Sequence, residues 1–85
     1  MFLIQDYMKP LIEYIARSLV DDPTQVRVFE RRRGPVNEIS LQVAKPDMGR
    51  VIGRNGRVAN AMRALLQVAA AREDKRANLN ITDPE

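Results

Sequence analysis

Apolar residues recur at three- and four-residue steps in two segments of the chain, and this spacing predicts two amphipathic helices. The first helix is expected over about residues 6–20, with Pro10 in its first turn, where a proline loses no hydrogen bond, and Asp21-Asp22-Pro23 at its end. The second is expected over about residues 56–72, in a run rich in good helix formers. The residues that set the period are Met8, Leu11, Ile12, Ile15, Leu19 and Val20, then Val58, Met62, Leu65, Leu66 and Ala69.

Three other segments alternate apolar and polar residues, which predicts half-buried β-strands. They span about residues 25–32, 37–44 and 77–82, and Arg33-Gly34-Pro35 forms a turn between the first two. The third strand rests on Leu79 and Ile81 alternating with asparagines. In the first strand Val26, Val28 and Glu30 are expected on one side, and in the second strand Ile39, Leu41 and Val43 are expected to face one way.

A short helix is predicted over residues 47–52, and Asp47 can cap it by accepting backbone N–H groups that the first turn leaves without partners. The elements then follow the order αββααβ. The apolar stripes of the three helices can cover one face of a three-stranded sheet. The sequence therefore predicts an α+β fold, and a length of 85 residues favours one domain over residues 1–85.

The composition narrows the classes of protein that this chain can represent. It has no cysteine and no histidine, which excludes disulfides, thiolate metal sites and the commonest nucleophile–base pairs. We therefore expect no enzymatic activity, no metal, no cofactor and no small-molecule substrate. Gln5, Asp6 and Lys9 interrupt the apolar N-terminus before a signal peptide or membrane span can form, so we expect a soluble, cytoplasmic protein without a membrane partner.

The net charge of +3 is unevenly distributed. Among residues 1–24 two basic side chains are outnumbered by four acidic ones, whereas residues 45–63 carry five basic side chains and a single acidic one, Asp47. The positive potential is therefore expected to gather around the loop Gly53-Arg54-Asn55-Gly56, which lies between the two C-terminal helices.

Two glycines three positions apart suit a phosphate-binding loop, because glycine adopts positive φ and lets another backbone approach closely. Gly56 also opens the long helix, whose free N–H groups and positive dipole end favour an anion, and Arg54 and Arg57 add attraction. An isolated G-x-x-G is weak evidence, because a tight turn between helices uses two glycines more often than a phosphate-binding loop does. Here the motif is not isolated. It follows the apolar pair Val51-Ile52 and a β-hairpin, it contains and precedes basic residues, and an amphipathic helix comes after it. This combination favours nucleic-acid binding.

Three stretches of the sequence are similar to the small stand-alone bacterial KH proteins of the KhpA family. They are Leu11-Ile12-Glu13-Tyr14-Ile15-Ala16 with Leu19-Val20-Asp21, then Asp47-Met48-Gly49-Arg50-Val51-Ile52-Gly53-Arg54-Asn55-Gly56-Arg57, then the alanine-rich helix through Ala69-Ala70-Ala71. The resemblance covers nearly the whole chain and implies the type II arrangement of KH folds. It also implies RNA as the ligand, and a homodimer or a complex with a KhpB-like partner. The implied role is that of a post-transcriptional regulator or RNA chaperone, which acts in control of RNA and of cell elongation or division.

The mechanism expected from these residues is that about four nucleotides lie across a shallow groove, with their phosphates held by the glycine loop and their bases against an aliphatic floor. The floor candidates are Val51, Ile52, Val58, Met62 and the outward residues of the second strand. Of these, Met62 is rather expected in the core, and Ile52 is a candidate for either place. The four aromatic residues lie outside this region, so base readout should be weak. The predicted RNA-binding residues are Gly53, Arg54, Asn55, Gly56, Arg50, Arg57, Val51, Ile52, Val58, Arg72, Lys75 and Arg76.

Three alternatives stay open at this point. The main function is either RNA binding or protein interaction, in which the KH fold pairs with itself or a partner through apolar residues near Val51 and Ile52. The run Arg31-Arg32-Arg33-Gly34, more basic than is usual in the family, is either a solvated turn or an additional phosphate contact. Phosphate clamping is common to RNA and DNA, so the preference for RNA rests on the resemblance.

Overall fold

The computed structural model describes residues 8–83, which form one helical layer against one face of a three-stranded sheet. The predicted order αββααβ and the α+β class are confirmed. The helices and strands are α1 (Met8–Leu19), β1 (Arg27–Arg33), β2 (Val36–Gln42), α2 (Met48–Ile52), α3 (Arg57–Ala71) and β3 (Arg76–Thr82). Short 3-10 turns at Pro23–Gln25, Lys45–Asp47 and Arg54–Gly56 join several of them.

The sheet is mixed, with β2 at its centre. β1 pairs with β2 antiparallel through the tight turn at Gly34, and β3 pairs with β2 in parallel along its whole length. The α3 helix supplies the crossover that a parallel connection needs. β1 and β3 are therefore the two edge strands, and one edge of β3 faces the side of α3.

The core lies between the helices and the inward face of the sheet. In β2 the alternation is strict: Ile39 and Leu41 are fully buried, whereas Ser40 between them is on the other face. This confirms the period-2 pattern of β2, whereas in β1 the alternation ends after Glu30, because Arg31, Arg32 and Arg33 are all exposed. The largest fully buried apolar side chains are Met8, Ile12, Ile39, Leu41, Met62, Leu66, Val43 and Val51.

The structure differs from the sequence prediction at the element ends and at two polar residues. β1 begins at Arg27 rather than at residue 25, because Gln25 belongs to the 3-10 turn Pro23–Gln25, in which Asp22 accepts the backbone N–H of Thr24. Predicted helix residues 6 and 7 lie outside the described residues. Asn37 is fully buried, and its amide nitrogen lies 3.7 Å from the sulfur of Met8, a contact that the strand pattern does not anticipate.

The prediction that Asp47 caps α2 is wrong, since its carboxylate makes no hydrogen bond to the first turn of that helix. The carboxylate instead accepts the backbone N–H groups of Asp21 and Asp22, each at 3.1 Å. These donors lie just beyond the end of α1, so a buried side chain connects the first helix to the segment that leads into the glycine loop.

Candidate nucleic-acid interface

The glycine loop projects from the junction of α2 and α3. Its two central residues, Arg54 and Asn55, are exposed, and Gly53 and Gly56 on either side are half-buried. Three of the four residues have positive φ, namely Gly53 at 77°, Asn55 at 57° and Gly56 at 75°. Asparagine is one of the few residues that tolerate this conformation, so the sequence Gly-Arg-Asn-Gly suits the turn at each position.

The two glycines are required for different reasons. A Cβ at Gly53 would lie 2.5 Å from the Cγ2 atom of Val58 and 2.9 Å from its backbone nitrogen, so Gly53 permits close packing of α2 against α3. A Cβ at Gly56 would meet only the side-chain nitrogen of Asn60, at 3.7 Å. The space beside Gly56 is therefore open, whereas Gly53 is constrained by its packing against Val58. Contact of both glycines with a phosphate chain stays a prediction.

The backbone N–H groups of the loop divide into occupied and available donors. Gly53 donates to the carbonyl of Gly49 at 2.9 Å, and Gly56 donates to the carbonyl of Gly53 at 3.1 Å. The N–H groups of Arg54 and Asn55 donate to no group within residues 8–83. Two adjacent exposed amides next to the positive end of a 15-residue helix form a site that attracts an anion.

The basic side chains near the loop are not equivalent. Arg54 and Arg57 are exposed and form no ion pair within the described part of the chain. The guanidinium of Arg50, in contrast, lies 3.2 Å from the carboxylate of Asp21 and 3.9 Å from that of Asp47. Arg50 is therefore held by acidic neighbours, and the net positive charge offered by the loop comes mainly from Arg54 and Arg57.

The predicted apolar floor is smaller than expected. Val51 is fully buried and belongs to the core, so its prediction as an RNA-contacting residue is wrong. Ile52 and Val58 are half-buried and pack against the core, which leaves part of each side chain accessible, and Met62 is buried as predicted. The outward residues of β2, such as Ser40, lie on the sheet face away from the helices and cannot contribute to this floor.

A row of polar side chains on α3 faces the free edge of β3, and the sequence prediction missed it. Arg63 donates from Nε and Nη2 to the carbonyl of Leu79, at 3.3 and 3.2 Å, and from Nη1 to the side-chain oxygen of Asn60, at 3.2 Å. One turn further, Gln67 donates to the carbonyl of Ala77. The row satisfies carbonyls of an edge strand and begins one turn after Gly56.

This row borders a cleft of about 300 Å³, which Asn78 and Asn80 of β3 also line. The spacing of Asn60, Arg63 and Gln67 by three and four residues was visible in the sequence and indicates a polar stripe of α3. The sequence does not show which strand edge this stripe faces. Its contacts with β3 are evident only from the fold.

Arg72, Lys75 and Arg76 lie at the opposite end of α3 from the glycine loop. A 15-residue helix is about 22 Å long, so these side chains cannot share one phosphate with Arg54. The backbone N–H of Arg76 donates to the carbonyl of Pro35 at 2.9 Å, which joins this segment to the hairpin turn after Arg33. The structure therefore groups the last three predicted residues with the basic hairpin turn rather than with the loop.

No cluster of acidic side chains within residues 8–83 is arranged to hold a metal ion. None of the helices in the described part of the chain has the length and apolarity needed to cross a membrane.

The family model for the KH domain of KhpA and KhpB matches residues 9–81. The chain belongs to this family of KH domains. The match includes every helix and strand after the first residue of α1 except the last residue of β3, so the glycine loop described above is the loop of a KH domain. This is a family of nucleic-acid-binding domains and not of enzymes.

Relatives of this KH domain occur in distant bacteria. The RNA-binding protein KhpA of Halalkalibacterium halodurans is 46% identical over 76 residues, which cover 89% of this chain and 100% of the relative. The protein of the same name in Clostridium acetobutylicum is 46% identical over 74 residues, 87% of this chain and 99% of the relative. That of Treponema pallidum is 44% identical over 73 residues, 86% of this chain and 91% of the relative.

Proposed function

We propose that this KH domain binds single-stranded RNA by holding the phosphate backbone of about four nucleotides at the Gly53–Gly56 loop. The observation that carries the proposal is the pair of available N–H groups at Arg54 and Asn55, next to two arginines without ion pairs. Exposed amides and guanidinium groups are the donors that phosphate oxygens accept in nucleic-acid complexes. The relatives named RNA-binding proteins support RNA as the ligand.

The bound RNA is expected to run from the loop along the cleft between α3 and the free edge of β3. Asn60 begins this path and Asn80 lies across it, so amide side chains are available to hydrogen-bond base edges. Ile52 and Val58 offer a small apolar surface at the start of the path. Arg72, Lys75 and Arg76 then lie at its far end and suit contacts with the next phosphates of a longer strand.

The role proposed for the complex is post-transcriptional control or RNA chaperoning, in the cytoplasm. A KhpB-like KH protein is the partner that we propose, as the family resemblance implies. A regulatory effect is expected to arise from bound RNA and a bound partner together.

A second candidate function is protein interaction, and the outer face of α3 favours it. Leu65 and Val68 are 50% and 60% exposed, and Ala61 and Ala64 lie on the same side of the helix. This apolar stripe, Ala61-Ala64-Leu65-Val68, is suited to pairing with a second copy or another KH domain.

The stripe is a better candidate interface than the apolar residues near Val51 and Ile52, because Val51 is buried. The stripe borders the side of α3 that carries Asn60, since Ala64 lies one turn from Asn60, but Leu65 and Val68 lie further round the helix. We therefore expect dimer formation through Leu65 and Val68 to leave the glycine loop open to RNA.

The decisive experiment is an anisotropy titration of short single-stranded RNA and DNA of equal sequence, at two salt concentrations. The double variant Arg54→Asp/Asn55→Asp places negative charge beside the phosphates without altering buried surface, and aspartate tolerates the positive φ of position 55. Lys9→Asp/Ser18→Asp makes the same change in net charge at two exposed positions of α1 and is the matched control. We expect the loop variant alone to lose RNA binding, with both variants melting like the native chain. An equal loss of RNA affinity in both variants would show that the effect comes from net charge and not from the loop.

A further inference from the structure

The sheet face turned away from the helices is unusually basic and carries an exposed aromatic ring. Phe29, in the edge strand β1, is 56% exposed, because strand alternation places its neighbour Val28 in the core and Phe29 outside. The strand register sets three adjacent rows across this face. They are Phe29–Ser40–Asn80 in the middle, Arg27–Gln42–Thr82 on one side and Arg31–Glu38–Asn78 on the other.

The position of Phe29 is not explained by packing. It does not belong to the core or to the partly buried residues packed against it, and its cross-strand neighbour Ser40 is too small to cover the ring. Charged side chains on an edge strand are a common protection against pairing with other chains. That protection accounts for arginines on β1, but an exposed aromatic ring between them works against it.

The charge of the face is complementary to a polyanion. Arg27 and Arg31 are exposed on either side of Phe29 and form no ion pair within residues 8–83. Arg33, two residues further along β1, lies 3.6 Å from the carboxylate of Glu38, which is the single acidic side chain of this face in the described part of the chain. Two arginines flanking the ring are therefore available for phosphates, and the amide of Gln42 is available for a base edge.

We propose that this face is a second contact surface for single-stranded RNA, in which a nucleobase stacks on Phe29 while Arg27 and Arg31 contact the flanking phosphates. An exposed aromatic ring on a sheet, bordered by basic side chains, is an arrangement by which other folds bind single strands. The proposal rests on the proposed function and extends it: the loop holds about four nucleotides, and the sheet face engages a longer strand. Phe29 then supplies the stacking that is absent from the cleft.

A fluorescence experiment tests the stacking directly. The chain has no tryptophan, so Phe29→Trp introduces a single reporter that keeps an aromatic ring at the site. Tyr14→Trp places the same reporter on an exposed position of α1, away from the sheet face, and is the control. Adding oligouridylate of about 12 nucleotides should quench the fluorescence at position 29 and leave that at position 14 nearly unchanged. Equal quenching at both positions, or none at position 29, would overturn the proposal.

An affinity experiment separates this proposal from the proposed function. Phe29→Ala should weaken binding of the roughly 12-nucleotide strand by roughly 5-fold or more and leave binding of an oligomer of about four nucleotides unchanged. The loop variant Arg54→Asp/Asn55→Asp should abolish binding of the short oligomer and leave weak binding of the long one. If the loop variant weakens binding while Phe29→Ala has no effect on either oligomer, the sheet-face proposal fails and the loop proposal stands. If the loop variant binds both normally, the loop proposal fails.

A protein partner is the other occupant to exclude. Light scattering of the native chain and Phe29→Ala, without RNA, reports whether the ring supports self-association. An unchanged mass together with the loss of long-strand affinity supports the RNA contact. A lower mass with unchanged RNA affinity would assign Phe29 to a protein interface and overturn the proposal.

Discussion

The carboxylate of Asp47 accepts the backbone N–H of Asp21 at 3.1 Å across a separation of 26 residues. The same carboxylate accepts the N–H of Asp22. The guanidinium of Arg50 lies near the carboxylates of Asp21 and Asp47. Asp47 is only 2% exposed, so this small polar cluster is largely shielded from water at its centre. It fixes the end of α1 relative to the start of α2, and α2 in turn sets the position of the glycine loop.

Replacing Asp47 by alanine is expected to destabilise the fold. Two backbone donors would lose their acceptor in a partly buried setting, which typically costs about 1–3 kcal/mol. For a domain of this size each kcal/mol lowers the melting temperature by roughly 4–8 °C. Thermal unfolding followed by circular dichroism measures the change. The control is Asp21→Ala, which removes an exposed partner of Arg50 and keeps both backbone bonds, so it should change stability by less than about 0.5 kcal/mol. Similar melting of the two variants would contradict this role of Asp47.

The two loop glycines should respond differently to alanine. In Gly53→Ala the new methyl group overlaps Val58, including its backbone, and the positive φ is strained as well, so a loss of about 1–3 kcal/mol or more is expected. In Gly56→Ala only the positive φ is unfavourable, at about 1–2 kcal/mol, because the space beside it is open.

Denaturant unfolding of both variants measures the difference, and Gly34→Ala is a useful control because it also has positive φ and open surroundings. Gly34→Ala and Gly56→Ala should therefore lose similar amounts of stability, and Gly53→Ala should lose the most. Equal stability of all three variants would show that Val58 moves aside and that the close packing is not a constraint.

Salt dependence reports how many phosphates the protein neutralises. If about three phosphates are held, the logarithm of the affinity should fall with the logarithm of salt concentration at a slope of roughly −2. Removing one contact with Arg57→Gln should reduce the magnitude of the slope by about 0.7. Arg17→Gln makes the same charge change on α1, where Arg17 pairs with Glu13 at 3.5 Å, and should leave the slope unchanged. An unaltered slope in Arg57→Gln would remove Arg57 from the interface.

The sequence was sufficient for the elements and for the exposure of the loop, but not for the partners that depend on tertiary contacts. Alternation in β2 identified Ile39 and Leu41 as inward because a period of two is a local property. Sequence alone predicts that Asp47 caps the nearest helix, because its actual partners, 25 and 26 residues earlier, are near it only in the folded chain. Similarly, the apolar pair Val51-Ile52 has one buried and one half-buried member, and composition alone does not say which.

Protein interaction through α3 leads to a prediction that separates the two candidate functions. Leu65→Ser/Val68→Ser removes the two large apolar side chains of the stripe at exposed positions, so the fold should lose little stability. If the stripe pairs two copies, light scattering should show the mass falling from dimer to monomer, while a control at the exposed Tyr14, Tyr14→Ser, should keep the native mass. Binding of an RNA of about four nucleotides should be unchanged in both variants, because the loop and the side of α3 that carries Arg63 are intact.

A monomeric native chain would show that the stripe is not a self-association surface. Loss of short-RNA binding in the double serine variant would show that the stripe and the loop act as one site.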